Sequence, residues 1–151
     1  MKNKLVIVTG ASSGIGRACA EKFAQEGANL VLAARSADKL NEVAENVARY
    51  GVQVLPVVTD VTMEEDCKNL VEKALIKFGK IDVLVNNAGI SMRASFSELD
   101  ISVLKKVMDV NFWGTIYCTR HAIASLLENN GSVVGVSSIA GYKGLPGRTG
   151  Y

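Results

Sequence analysis

Five short stretches of the chain, KLVIVTG (4–10), NLVLAAR (29–35), VQVLPVV (52–58), IDVLVNN (81–87) and GSVVGVS (131–137), are apolar almost throughout and do not alternate. Runs of this kind read as strands covered on both faces, because alternation is expected only where one face meets water. Between them apolar residues return at helical spacing: Ile15, Cys19 and Phe23, then Leu40, Val43 and Val47, then Cys67, Leu70, Ala74 and Phe78. Each stripe predicts a helix with one face on the sheet.

Boundary signals agree with the periodicity. Thr62 followed by Glu65 has the form of a capping box, Ser36 stands where it can cap the second helix, and Gly27, Gly51 and Gly79 end three helices. The fourth helical stretch, about 101–128, carries Asn111 and Gly114 in its middle, which predicts one helix interrupted by a kink or a close contact. Strands alternating with helices at this spacing specify a doubly wound α/β fold, a parallel sheet with right-handed crossovers and helices on both faces. From Gly141 to Tyr151 the chain changes into a glycine-bearing loop. No linker or repeat divides it, so residues 1–151 are expected to form one domain.

Composition narrows the class. With 151 residues, 48% hydrophobic and 21% charged, the chain belongs with globular proteins. A net charge of +2 from scattered basic and acidic residues offers no stripe for nucleic acid. Cys19, Cys67 and Cys118 are odd in number and widely spaced, unlike a disulfide framework or a zinc site, so no metal is expected and a reducing cytoplasm fits. The apolar run near the start is shorter than the roughly 7–15 residues of a signal peptide, and no stretch has the ~18 of a membrane span.

The candidate chemistry begins at TGASSGIG (9–16), a glycine-rich turn between the first strand and the first helix. Gly10 suits a tight turn, Gly14 clears space for a pyrophosphate, and Gly16 lets the helix lie close to the strand. The helix N-terminus, with Ile15 in its first turn, offers N–H groups to an anion, and Ser12 and Ser13 add hydroxyls. A turn that binds nothing is the bland alternative. The spacing G-x-x-x-G-x-G, without a following Gly-Lys-Ser/Thr, favours a dinucleotide over ATP. At the end of the second strand an acidic residue would hold the ribose 2′-OH of NAD. Arg35 stands there, beside Ser36, and a guanidinium pairs with a 2′-phosphate, so NADP is expected over NAD. The alternative for Arg35 is a solvated surface cation.

Taken in order, TGASSGIG, Asp60–Val61, NNAG (86–89), VNFWG (110–114), VSSIAG (136–141) and Tyr151 resemble the short-chain dehydrogenase/reductase family over the whole chain. The resemblance implies a Rossmann-type sheet, with Asp60 and Val61 bordering the adenine, Asn86 bracing the central strands, and Asn87, Ala88 and Gly89 running along the cofactor. Asp60 as a helix-preceding cap is the competing reading. Asn111 is similar to the family's water-holding asparagine, and it also reads as a satisfied buried amide. Ser138 and Tyr151 match the S-x12-Y spacing of the family's catalytic pair; Ser137 competes, but spacing favours Ser138.

Reduction of a carbonyl needs a hydride, a proton for the oxygen, and a donor that holds that oxygen while charge develops. By resemblance Tyr151 is the acid and Ser138 the donor. A phenol titrates near 10 in water, so it needs a nearby cation. The family places a lysine four residues after the tyrosine, a position past the end of this sequence. Residues 1–151 are therefore expected to be the N-terminal portion of a longer enzyme, lacking C-terminal strands, and inactive alone. The expected activity is NADP-dependent ketone/alcohol interconversion of the 3-oxoacyl-carrier-protein reductase or hydroxysteroid dehydrogenase kind, on a small-molecule substrate. The alternative is a non-catalytic dinucleotide sensor. The family commonly assembles as dimers or tetramers through the long helix, so a homo-oligomer is implied. His121, with no triad motif beside it, reads as packing or surface.

Overall fold

The computed structural model describes residues 1–148, 150 and 151. β1 (Leu5–Thr9), β2 (Asn29–Ala34), β3 (Val54–Val58), β4 (Val83–Asn86) and β5 (Ser132–Gly135) form one parallel sheet in the order β3-β2-β1-β4-β5. The chain runs outward from β1 to β3 and then crosses back to β4 on the other side. At that reversal the loops leaving β1 and β4 depart in opposite directions, which opens a crevice at the carboxyl edge.

Alternate residues of β1 face opposite sides. Val6 and Val8 join Leu30, Leu32, Ala20, Ala24, Leu40 and Val43 under α1 (Gly14–Gln25) and α2 (Ala37–Ala48). Leu5 and Ile7 join Val31, Val57, Leu70, Ala74, Cys118 and Ala122 under α3 (Glu64–Phe78) and α5 (Gly114–Glu128). This is the two-faced burial that the unbroken apolar runs require. β5 is the exception: all four of its residues are exposed, so its apolar content is not matched by cover in this chain.

The predicted stripes of α2 and α3 are buried, but that of α1 is displaced. Gly16, Ala20 and Ala24 face the sheet, while Ile15 is 61% exposed. Small residues let α1 approach the strands closely, and that proximity, not side-chain bulk, selects the face. The expected capping box is also absent. Met63 precedes α3 without a side-chain cap, and the Thr62 hydroxyl donates instead to Asp60 Oδ1 at 2.9 Å. Ser36 occupies the N-cap of α2 but makes no side-chain cap bond. Gly27, Gly51 and Gly79 have φ of 80°, 77° and 76°, the left-handed conformation expected after a helix.

The long fourth stretch is α4 (Ile101–Met108), a π-turn (Asp109–Trp113) and α5 in direct succession. Asn111 sits in the π-turn, and Gly114 lies against Val61, whose Cγ2 would be 2.8 Å from an added Cβ. The interruption is thus both a change in helical winding and a close contact. Cys118 is buried on α5, and its thiol is pushed upward in pKa by its hydrogen bond with Cys67 and by burial.

At the amino edge of the sheet, Asp82 is buried just before β4. Its carboxylate accepts from Leu5 N at 2.8 Å and Lys4 Nζ at 2.7 Å and pairs with Lys80 at 3.0 Å; its carbonyl accepts from Ser132 N at 2.9 Å. One residue therefore holds the starts of β1, β4 and β5. Burial pushes its pKa up, but the bonds from Lys4, Leu5 N and Lys80 outweigh that and hold it below the ordinary carboxylate value. A depressed carboxylate stabilises the fold above its unfolded pKa, and the benefit is lost as pH falls through the folded one. Asp82→Asn should cost about 1–3 kcal/mol in urea unfolding at neutral pH. The gap to the wild type should narrow as pH drops below 3.8; a gap that is constant with pH contradicts this.

Candidate functional site

The turn 9–16 is shaped by what it packs on. Gly10 has φ +65°, and a Cβ there would come within 2.8 Å of Asn87 Nδ2 and 2.9 Å of Ala88 Cα. A Cβ on Gly16 would strike the Gly10 carbonyl oxygen and come within 2.5 Å of Asn87 Nδ2. Gly16 thus makes room for the turn and the Asn87 amide as well as for the strand. Gly14 differs: its φ is +55°, and an added Cβ would meet no protein atom within 4 Å. The position is open on that side. Ser13 makes no side-chain capping bond, so the first turn of α1 keeps unpaired N–H groups for an anion.

Asn87 locks the turn to the loop after β4. Its Nδ2 donates to the Thr9 carbonyl at 2.9 Å and the Gly10 carbonyl at 3.3 Å. Thr9 Oγ1 accepts from the backbone N–H of both Asn87 and Ala88 at 3.0 Å and donates to Val85 O at 3.4 Å. Thr9 was not singled out by sequence; the available signal was a hydroxyl closing an otherwise apolar strand. Asn86 reaches across to α5, where its Nδ2 donates to Thr119 Oγ1 at 3.0 Å. Its side chain thus ties β4 to α5, while its backbone stays in the β4–β5 ladder.

Two adjoining hollows occupy the crevice. One, of about 430 Å³, is lined by Gly10, Ser12, Ser13, Ile15, Arg35, Ser36, Lys39, Asp60, Val61 and residues 87–90. The other, of about 520 Å³, is lined by Ile15, residues 86–91, Asn111, Ser137, Ser138 and Tyr151. They share Ile15 and residues 87–90, so they form one elongated groove with a common wall. The exposed Ile15 that α1 turns away from the sheet belongs to that wall. All the residues expected at the site line the groove except Gly14, which is exposed, and Gly16, which lies beneath the turn.

At one end Arg35, Ser36 and Lys39 are exposed, and among the described residues neither cation is in an ion pair. Lys39, from the first turn of α2, is a second basic group at this end, one that the sequence pattern did not single out. Asp60 Oδ1 accepts from Thr62 N at 3.0 Å and from its hydroxyl. These are bonds of a local turn two residues on and not a cap of α3, whose N-cap is Met63. Val61 is held from behind by Gly114.

Asn111 gives both ends of its amide to Ile90: Oδ1 accepts from Ile90 N at 2.8 Å and Nδ2 donates to Ile90 O at 2.9 Å. Both ends of the amide are satisfied within the chain, and the half-buried side chain braces the wall of the groove. Ser138 Oγ accepts from Ala140 N at 3.2 Å, so its own hydrogen is free to donate elsewhere. Tyr151 is 38% exposed at the same hollow, and among the described residues no hydrogen bond joins the two hydroxyls. His121 lies outside the groove, 3.3 Å from Glu64. Among the described residues no His/Cys/Asp/Glu group could hold a metal, and no helix is long and apolar enough to cross a membrane.

The family model for short chain dehydrogenase matches residues 4–151. The chain is 43% identical over 145 residues to 11-beta-hydroxysteroid dehydrogenase 1A of Arabidopsis thaliana, covering 95% of this chain and 42% of the relative. It is 40% identical over 148 residues to 11-beta-hydroxysteroid dehydrogenase-like 4A of the same plant, covering 97% and 50%. The chain thus spans at most half the length of these relatives. In structure it is similar to an alcohol dehydrogenase from Thermococcus sibiricus complexed with 5-hydroxy-NADP (TM-score 0.96, 32% identity, covering 98% of this chain and 63% of that one). It is equally similar to an NAD+-bound xylitol dehydrogenase (TM-score 0.96, 32% identity, covering 99% and 58%).

Thr9→Val keeps the shape of the side chain but leaves the Asn87 and Ala88 N–H groups without their acceptor. It should cost about 1–3 kcal/mol in urea unfolding, whereas Thr9→Ser should recover most of that. A valine variant within about 0.5 kcal/mol of wild type would show that the hydroxyl does not hold the loop.

Proposed function

The chain belongs to the short-chain dehydrogenase family of oxidoreductases, and on that premise we propose that it binds NADP(H) and interconverts a ketone and a secondary alcohol. One observation carries this reading: a single groove has unpaired cations at one end and the Ser138 and Tyr151 hydroxyls at the other, joined by the wall 87–90.

The residues fit the cofactor. Free N–H groups at the start of α1, with Ser12 and Ser13, bind a pyrophosphate where Gly14 leaves the backbone bare. Arg35, Ser36 and Lys39 bind a 2′-phosphate, the guanidinium by paired bonds and the ammonium as a point charge. Asp60 Oδ2 and the Val61 backbone border the adenine, and Asn87, Ala88 and Gly89 line the path between. The bound nicotinamide supplies the hydride. Tyr151 gives a proton to the carbonyl oxygen, and the Ser138 hydroxyl, already oriented by Ala140 N, donates to that oxygen as charge builds. Asn111 acts one step back by holding Ile90 in place. Of the two substrate classes expected, the hydroxysteroid kind is supported by the names of the relatives.

The test is a fluorescence titration of the chain with NADPH and with NADH. NADPH should bind at least about tenfold more tightly, the effect of one charge-assisted phosphate contact. Arg35→Ala and Lys39→Ala should each reduce that preference while leaving NADH affinity unchanged. Equal affinities, or a preference for NADH, would overturn the NADP reading. No binding of either would overturn the dinucleotide site.

A further inference from the structure

The described residues just before Tyr151 lie outside the strands and helices, yet they are tied to the loop after β4. Ala94 N donates to Gly147 O at 3.0 Å, and Ala94 and Arg148 form an isolated parallel bridge. Tyr151 N donates to Arg148 O at 3.1 Å, closing a turn. Gly150 lies directly against the Leu104 side chain, with no room for a Cβ. Within this frame the Arg148 side chain does two things. Its Nη1 donates to Ser91 Oγ, and its guanidinium lies 5.8 Å from the centre of the Tyr151 ring. Ser91 and Tyr151 both line the groove, whereas Arg148 stands behind them. Among the described residues Arg148 has no carboxylate partner, so its charge is directed to the aromatic face and the serine.

We propose that Arg148 is a positioning residue: a guanidinium clip, anchored on Ser91, that holds the Tyr151 ring at the groove. A planar cation suits this task because it stacks on a ring and hydrogen-bonds sideways at once, which an ammonium cannot do. The clip couples the acid to the wall, so that Tyr151 and residues 88–91 move as one unit. Its catalytic weight rests on the proposed role of Tyr151; its existence does not.

Hydroxyl-radical footprinting of the whole chain, read by peptide mass spectrometry, tests the clip directly. Tyr142, 95% exposed, and Tyr50, 50% exposed, serve as internal references. Arg148→Ala should raise the Tyr151 oxidation rate about threefold relative to those references, the factor corresponding to loss of a partly exposed cation–π contact. Arg148→Lys should restore part of the protection. Arg148→Met, similar in length but uncharged, should restore none. An unchanged Tyr151 rate in Arg148→Ala, or equal protection by Met and Lys, overturns the proposal, since packing alone would then suffice. If circular dichroism shows that Arg148→Ala does not fold, Ser91→Ala decides: it should also raise the Tyr151 rate, and no rise overturns the clip. Wild-type chain that fails to bind NADPH refutes the proposed function and leaves the footprinting result standing.

Discussion

Two loops leave the sheet side by side at the reversal between β1 and β4, and they must pass within van der Waals distance of each other. Gly10 and Gly16 allow this because neither position has space for a methyl group beside Asn87. The Asn87 amide and the Thr9 hydroxyl then fill the gap with hydrogen bonds. That contact shapes the groove. It aims the start of α1 into the crevice, sets the wall 87–90 that both hollows share, and lifts Ile15 away from the sheet to border them.

The wall is supported a second time from the far side. Asn111 holds Ile90 from within a π-turn, and the same helical run places Gly114 against Val61. Extra winding at a functional site is a common use of π-turns, because it turns a side chain out of the ordinary helical register. Here one helical run contacts the groove at two places, through Asn111 on Ile90 and through Gly114 on Val61. The amino edge of the sheet carries a separate anchor, Asp82, which aligns three strands and takes no part in the groove.

Not every surface is satisfied within these residues. β5 is exposed throughout, and Phe112 and Trp113 in the π-turn and Ile116, Ile123 and Leu127 on α5 present apolar area. The same chain is densely packed around β1 and β2, so cover is uneven between that side of the sheet and β5. Tyr151, itself 38% exposed, has the Arg148 guanidinium 5.8 Å from its ring centre.

Much of this was legible in the residues alone. Unbroken apolar runs and helical spacings specify the number and kind of elements, because burial on two faces leaves no other economical pattern. NNAG, Ser138, Tyr151 and most of the glycine turn line one groove, and their order along the chain is what resembles the short-chain dehydrogenases. What sequence could not show were choices among partners. Whether Thr62 caps α3 or bonds Asp60, whether α1 buries Ile15 or Gly16, whether Asn111 meets solvent or Ile90, and that Lys39 joins Arg35 all depend on which groups lie close in space. Some of these are local, Thr62 with Asp60 and Lys39 beside Arg35, and others, such as the seating of Gly16 against Asn87, arise only where β1 and β4 lie side by side.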